Sequence, residues 1–168
     1  MKLKRHAIGG VTVGAAALVF VVVSAASGHP KPGHGGDHGH PHGGATIHVI
    51  EHATTDAVTN PPSPPAPDSA GNVLTFNNDV FDAKDASKVG SDQGYCVRIA
   101  VGKSWECNWT TFLPGGQITV EGPFSDTGNT RLAITGGTGK YRNARGEMEL
   151  NYHNPAGTEF DFVFHLIG

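Results

Sequence analysis

From Thr46 to the end of the chain, apolar and polar residues alternate with a period of two, and Gly, Pro, Asn or Asp interrupts the alternation about every ten residues. Successive side chains of an extended strand point to opposite faces, so this pattern suits half-buried strands, and no helical stripe competes with it. The alternation predicts strands over 47–54, 73–81, 95–100, 105–113, 117–121, 131–135, 147–153 and 159–167. Eight such strands suit a closed, antiparallel up-and-down barrel, so the expected fold class is all-β.

The turns carry the same message. Val101-Gly102-Lys103, Pro114-Gly115-Gly116 and the segment from Asn154 to Gly157 are short, which suits sequential hairpins, whereas a sandwich needs longer crossovers. Closure also removes edge strands, which matters in a chain with few lysines to guard them. GGTG, from Gly136 to Gly139, is read as a tight turn and not as a phosphate loop, because no helix follows it and no Lys-Ser or Lys-Thr pair completes the motif.

Ahead of the alternation lie Lys2, Lys4 and Arg5, an uncharged run from Ala7 to Val23, and the small residues Ser24 to Ser27. That order predicts a signal peptide over 1–26 and a secreted protein. The rival reading is an uncleaved anchor, for which a run of about 17 residues is short. Loss of the three cations takes the formal charge from −3 to −6, a poor balance for binding nucleic acid. Residues 27–44 are almost wholly Gly, His and Pro and are expected to be a disordered tail preceding a barrel domain over 45–168. Asn60 to Asp68 is expected to be an extended proline-rich loop within that domain.

The two cysteines, Cys96 and Cys107, most simply form one disulfide in an oxidising compartment. If they face each other across a hairpin, residues whose numbers sum to 203 are opposite, which sets Arg98 against Trp105. Cys96, Arg98, Trp105, Cys107 and Trp109 then share one face. The other face carries Tyr95, Val97, Ile99 and Phe112 as well as polar residues, and a partly apolar outer face favours a homo-oligomer.

Several runs resemble the allene oxide cyclase family: FNNDVFDAKDASKVGSDQGYC from Phe76, TVEGPF from Thr119, LAITGGTGKY from Leu132, IHVIEH from Ile47 and the closing DFVFHLIG. GGTGKYRNARGE from Gly136 is similar to the glycine-rich stretch of dirigent proteins. The resemblance implies an eight-stranded barrel, commonly a trimer, whose apolar interior holds an oxylipin or phenolic ligand and steers ring closure or coupling. It implies Glu51 as the catalytic acid and Asn78 as a water-holding partner. Val49, Leu74, Phe76, Cys96, Arg98, Trp105 and Phe124 are expected to bind the ligand. Two departures stand out, since Ala53 replaces a water-holding asparagine and Phe124 replaces a tyrosine. A Cys96–Cys107 disulfide would also project into the cavity.

The residues support the same chemistry from below. A glutamate in an apolar barrel is costly to ionise, so its pKa should rise, making it a proton donor or a carboxylate that stabilises developing positive charge; the plainer reading is a salt bridge from Glu51 to Arg98 or Arg145. Holding one folded conformer in a dry cavity supplies much of what a ring closure needs. Three functions follow: a cyclase-type isomerase, a dirigent-like module that binds and steers without catalysis, and metal capture by the tail. For the last, His29, His34, His38, His40 and His42 offer imidazoles to Cu²⁺, Ni²⁺ or Zn²⁺, and no other cofactor is expected. Neither a Ser-His-Asp nor a Cys-His arrangement is present, which argues against hydrolase chemistry.

Overall fold

The computed structural model describes residues 44–59 and 68–167. The expected signal peptide, residues 60–67 of the proline-rich loop, and the tail histidines His29, His34, His38, His40 and His42 lie outside those residues.

Nine strands follow in order: β1 (Ala45–His52), β2 (Ala57–Thr59), β3 (Val73–Asp82), β4 (Lys88–Ala100), β5 (Ser104–Leu113), β6 (Gly116–Ser125), β7 (Thr130–Gly139), β8 (Gly146–Tyr152) and β9 (Glu159–Leu166). All pair antiparallel. Because β1 bonds to both β9 and β3, the eight strands β1 and β3 to β9 form a closed barrel, and β2 is a short extra strand on β3.

The hairpin register is the one set by the cysteines. Cys96 lies opposite Cys107 and Arg98 opposite Trp105, and the two sulfurs are bonded. A shift between Arg98 and Ala100 then ends the ladder. Three stretches differ from the expectation. Gly136 to Gly139 is not a tight turn but the second half of β7, paired with Gly116 to Thr119 of β6, and the turn comes after it at residues 140–143. The first strand stops at His52, and β2 resumes the pairing against Val73 to Thr75. The fourth strand begins at Lys88 and not at Tyr95, because β3 and β5 supply ladder partners on both sides of its glycine-rich first half.

Inward positions recur along the strands of the barrel, whereas β2 is exposed throughout, and one half of the interior is packed solid. Val80, Ile118, Val120, Leu132, Met148, Phe162 and Phe164 are each at most 2% exposed, and full burial of such a side chain stabilises by roughly 1.5–3 kcal/mol. The other end, where Trp105, Phe124 and Tyr152 lie, is the mouth. Part of its rim is clamped by Arg98, whose Nε donates to Asp68 at 2.8 Å and whose Nη1 donates to Asp126 at 2.6 Å. Its guanidinium also sits 3.9 Å over the Trp105 ring, and Trp105 Nε1 donates to Asp126 at 3.1 Å.

Candidate functional site

Glu51 points into the barrel because it is in phase with Val49 on β1, both being buried opposite Phe160 and Phe162 of β9. One residue later β1 leaves the sheet. At that break Asn78 of β3 takes over the role of the missing ladder, its Oδ1 accepting from the backbone N–H groups of Thr54 at 3.1 Å and Thr55 at 2.9 Å. Its Nδ2 donates to Glu51 Oε1 at 2.8 Å and to Asp56 Oδ1 at 2.9 Å. An amide has two donor hydrogens and two acceptor lone pairs, so the capacity of Asn78 is used up.

Asp92 stands opposite Asn78 in the β3–β4 ladder and is wholly buried. Its Oδ1 accepts from Asn78 N at 3.3 Å, which brings its carboxyl near that of Glu51, bonded to the same asparagine through Nδ2. Burial pushes Glu51 up to about 7, against the lowering effect of hydrogen bonds from Asn78 and Asp92. Burial and the neighbouring Glu51 charge push Asp92 up to about 10. The pair therefore keeps a proton at neutral pH and titrates as one unit.

Above this pair lies a slot open at the mouth. Leu74, Phe76, Phe124, Leu150, Phe160 and Phe162 form apolar walls with Trp109 and the Cys96–Cys107 disulfide, while Glu51 and Asp56 supply the polar lining. The slot is narrow, with a cavity volume of about 40 Å³, enough for about three waters. Trp109 packs edge-on against Phe76 and tilted against Phe162, and its Nε1 is buried with no partner among the described residues.

The allene oxide cyclase barrel like domain model matches residues 49–164, most of the chain and every residue that lines the slot. The chain belongs to that family. Solved structures share the barrel. A pyocyanin demethylase aligns at 24% identity and TM-score 0.59, covering 71% of this chain and 100% of that one. A pterocarpan synthase dirigent protein aligns at 20% and 0.59, covering 73% and 88%. The exo-specific intermolecular Diels-Alderase AbnU aligns at 16% and 0.59, covering 75% and 99%. At these identities the likeness concerns the fold.

In this allene oxide cyclase barrel like protein, Glu51, Leu74, Phe76, Cys96 and Phe124 line the slot together. Asn78 does not line it but orients Glu51, and no hydrogen-bonding capacity is left on its amide to hold water. Val49 belongs to the packed core. Arg98 and Trp105 form the rim clamp, where Asp68 and Asp126 occupy the guanidinium, so neither reaches the slot and Arg98 does not pair with Glu51. The alternation reading missed Asp92 and Asp56. Asp92 has the same parity as Cys96 and Arg98, so extending the inward face of β4 by two more pleats would have found it.

Proposed function

We propose that this barrel binds a compact, planar, unsaturated or aromatic ligand and guides its ring closure or rearrangement, with the Glu51–Asp92 carboxyl pair lending a proton and taking it back. The observation that carries this reading is a buried pair of carboxyl groups, both bonded to Asn78, beneath an aromatic slot. A cyclase-type isomerisation needs no net gain or loss of atoms, so a proton donated by Glu51 to a ligand oxygen and recovered later closes the cycle. Asp92 keeps that proton available near neutral pH.

The lining also selects by charge. Glu51 and Asp56 contribute carboxyls, and no Lys, Arg or His is among the lining residues. A fatty-acid carboxylate would find no counter-ion there, so a neutral phenolic or other uncharged ring system fits better than an oxylipin anion. Secretion is part of the proposal, supported by the leader-like segment and by the disulfide. So is a homo-oligomer, a trimer by family resemblance, supported by the exposed Tyr95, Ile99 and Val101 along and just beyond the outer face of β4.

A second reading, steering without catalysis in the manner of a dirigent protein, is favoured by one set of observations. Ala53 and Phe124 stand where the family resemblance implies water-holding groups, and Asn78 is fully engaged in structure. Extraction of the purified protein and mass spectrometry of any co-purified molecule would name a ligand. With that ligand, Glu51→Gln should retain binding and lose turnover under the first reading. Saturable binding without conversion by the wild-type protein would establish the second.

A further inference from the structure

On the outside of the barrel, away from the slot, the turn after β3 folds back over β1. Asp85 in that turn has its Oδ1 2.7 Å from His52 Nε2, and His52 stacks on Phe81 with ring centroids 4.1 Å apart. Glu159, at the start of β9, is the ladder partner of His52. His153, just past β8, is tied to Glu159 by its backbone N–H, which donates to the Glu159 carbonyl at 3.0 Å. These approaches leave one ligand atom each from Asp85, His153 and Glu159 within 4.8 Å of one another.

We propose that Asp85, His153 and Glu159 form a site for a borderline divalent cation, of which Zn²⁺ is the best match. Two carboxylates balance the ion's charge, and the imidazole selects it over Mg²⁺ and Ca²⁺, which take oxygen ligands. Tetrahedral coordination at 2.0–2.2 Å places ligand atoms about 3.4 Å apart, so the three side chains need to close by little more than an ångström. Asp85 and His153 are on the surface and Glu159 is half-buried.

A second layer of residues distinguishes this cluster from a chance gathering of charges. His153 Nδ1 lies 3.1 Å from Asp161 Oδ1, and Asp161 is itself held by His48 Nε2 at 2.7 Å. A carboxylate that accepts from Nδ1 of a neutral imidazole leaves the lone pair on Nε2, the arrangement found where histidine binds metals. His52 plays the corresponding part for Asp85 by donating to its Oδ1. The ion would join the β3–β4 turn to the β8–β9 hairpin, with water completing its coordination. The site is separate from the expected metal binding by the tail histidines.

The test uses the full mature chain, with its tail, and ZnCl₂ as the probe. Saturating Zn²⁺ should raise the barrel's unfolding midpoint by several degrees, because an ion that binds only the folded form stabilises it. His153→Gln and Glu159→Gln should each abolish the rise, although the tail still takes up metal. The imidazole proton resonances of His153 should also shift or broaden in the wild-type protein, a measurement that needs no variant. Uptake with no rise in midpoint and unmoved His153 resonances would overturn the proposal, as would an undiminished rise in both variants.

Discussion

The carboxyl groups of Glu51 and Asp92, on strands that are not neighbours, are brought together inside the barrel by Asn78 on the strand between them, whose Nδ2 donates to Glu51 at 2.8 Å and whose backbone N–H donates to Asp92 at 3.3 Å. The sequence separation hides this relationship and the closure of the barrel creates it.

Both carboxyls have folded pKa values above their unfolded ones, so the native state retains protons that the unfolded chain has released. Their contribution to stability is fully present below about pH 4 and is lost as pH rises, through about 7 for Glu51 and on towards about 10 for Asp92. Between pH 5 and 8 the wild-type protein should therefore lose several kcal/mol of stability relative to Glu51→Gln/Asp92→Asn, at about 1.4 kcal/mol per pH unit for each proton retained. Urea unfolding of both proteins at several pH values checks this. A difference that stays flat or changes in the opposite sense would refute the retention of those protons.

Arg98 should be sensitive to the most conservative of replacements. Lysine offers a point charge in place of a planar fork and cannot serve Asp68 and Asp126 while stacking on Trp105. Arg98→Lys is expected to cost about 1–3 kcal/mol and Arg98→Ala more, since truncation leaves two partly buried carboxylates and Trp105 without their partner. Denaturant midpoints of the two variants give the comparison, and equal midpoints would mean that the clamp is ornamental.

Replacing both cysteines with serine removes a short cross-link, Cys96 to Cys107 being 11 residues apart. The expected loss is about 2–4 kcal/mol with the barrel retained. Because both sulfurs line the slot, ligand affinity should change in the same variant. Far-ultraviolet circular dichroism and binding titrations separate the two effects.

Gly94 faces Trp109 across the β4–β5 ladder, and a Cβ at that position would come within 2.2 Å of the Trp109 Cβ and 2.5 Å of the Asn108 carbonyl oxygen. Gly94→Ala should destabilise by about 1–3 kcal/mol and shift Trp109 fluorescence. Wild-type stability in this variant would show that the two strands part easily.

The barrel was legible where side chains themselves carried the alternation. The 95–100 and 105–113 strands could be paired from Cys96 and Cys107 alone, and the observed register matches. The stretch Gly90-Ser91-Asp92-Gln93-Gly94 has almost no apolar residue to mark a face, and its strand is imposed by neighbours on both sides. Asp92 was hidden by that lack of local signal. Arg98 and Trp105 were correctly placed on the inward face, yet face alone does not give depth along the axis. Partners contributed by Asp68 and Asp126, remote in sequence, hold both at the rim. The end of β1 at His52 is likewise a tertiary effect, since the amide of Asn78 stands in for the lost ladder.

The pairing that shuts the cylinder, β1 against β3, is confined to Val49–His52, whereas β1 runs against β9 along its whole length. Of the two staves flanking β1, the one beside Asn78 should part first in native-state hydrogen exchange. Glu51 sits at that lightly stitched join, so thermal breathing there would open a side door onto the acid for a guest too broad for the rim. The His52–Asp85 contact crosses the same join from outside, as a latch.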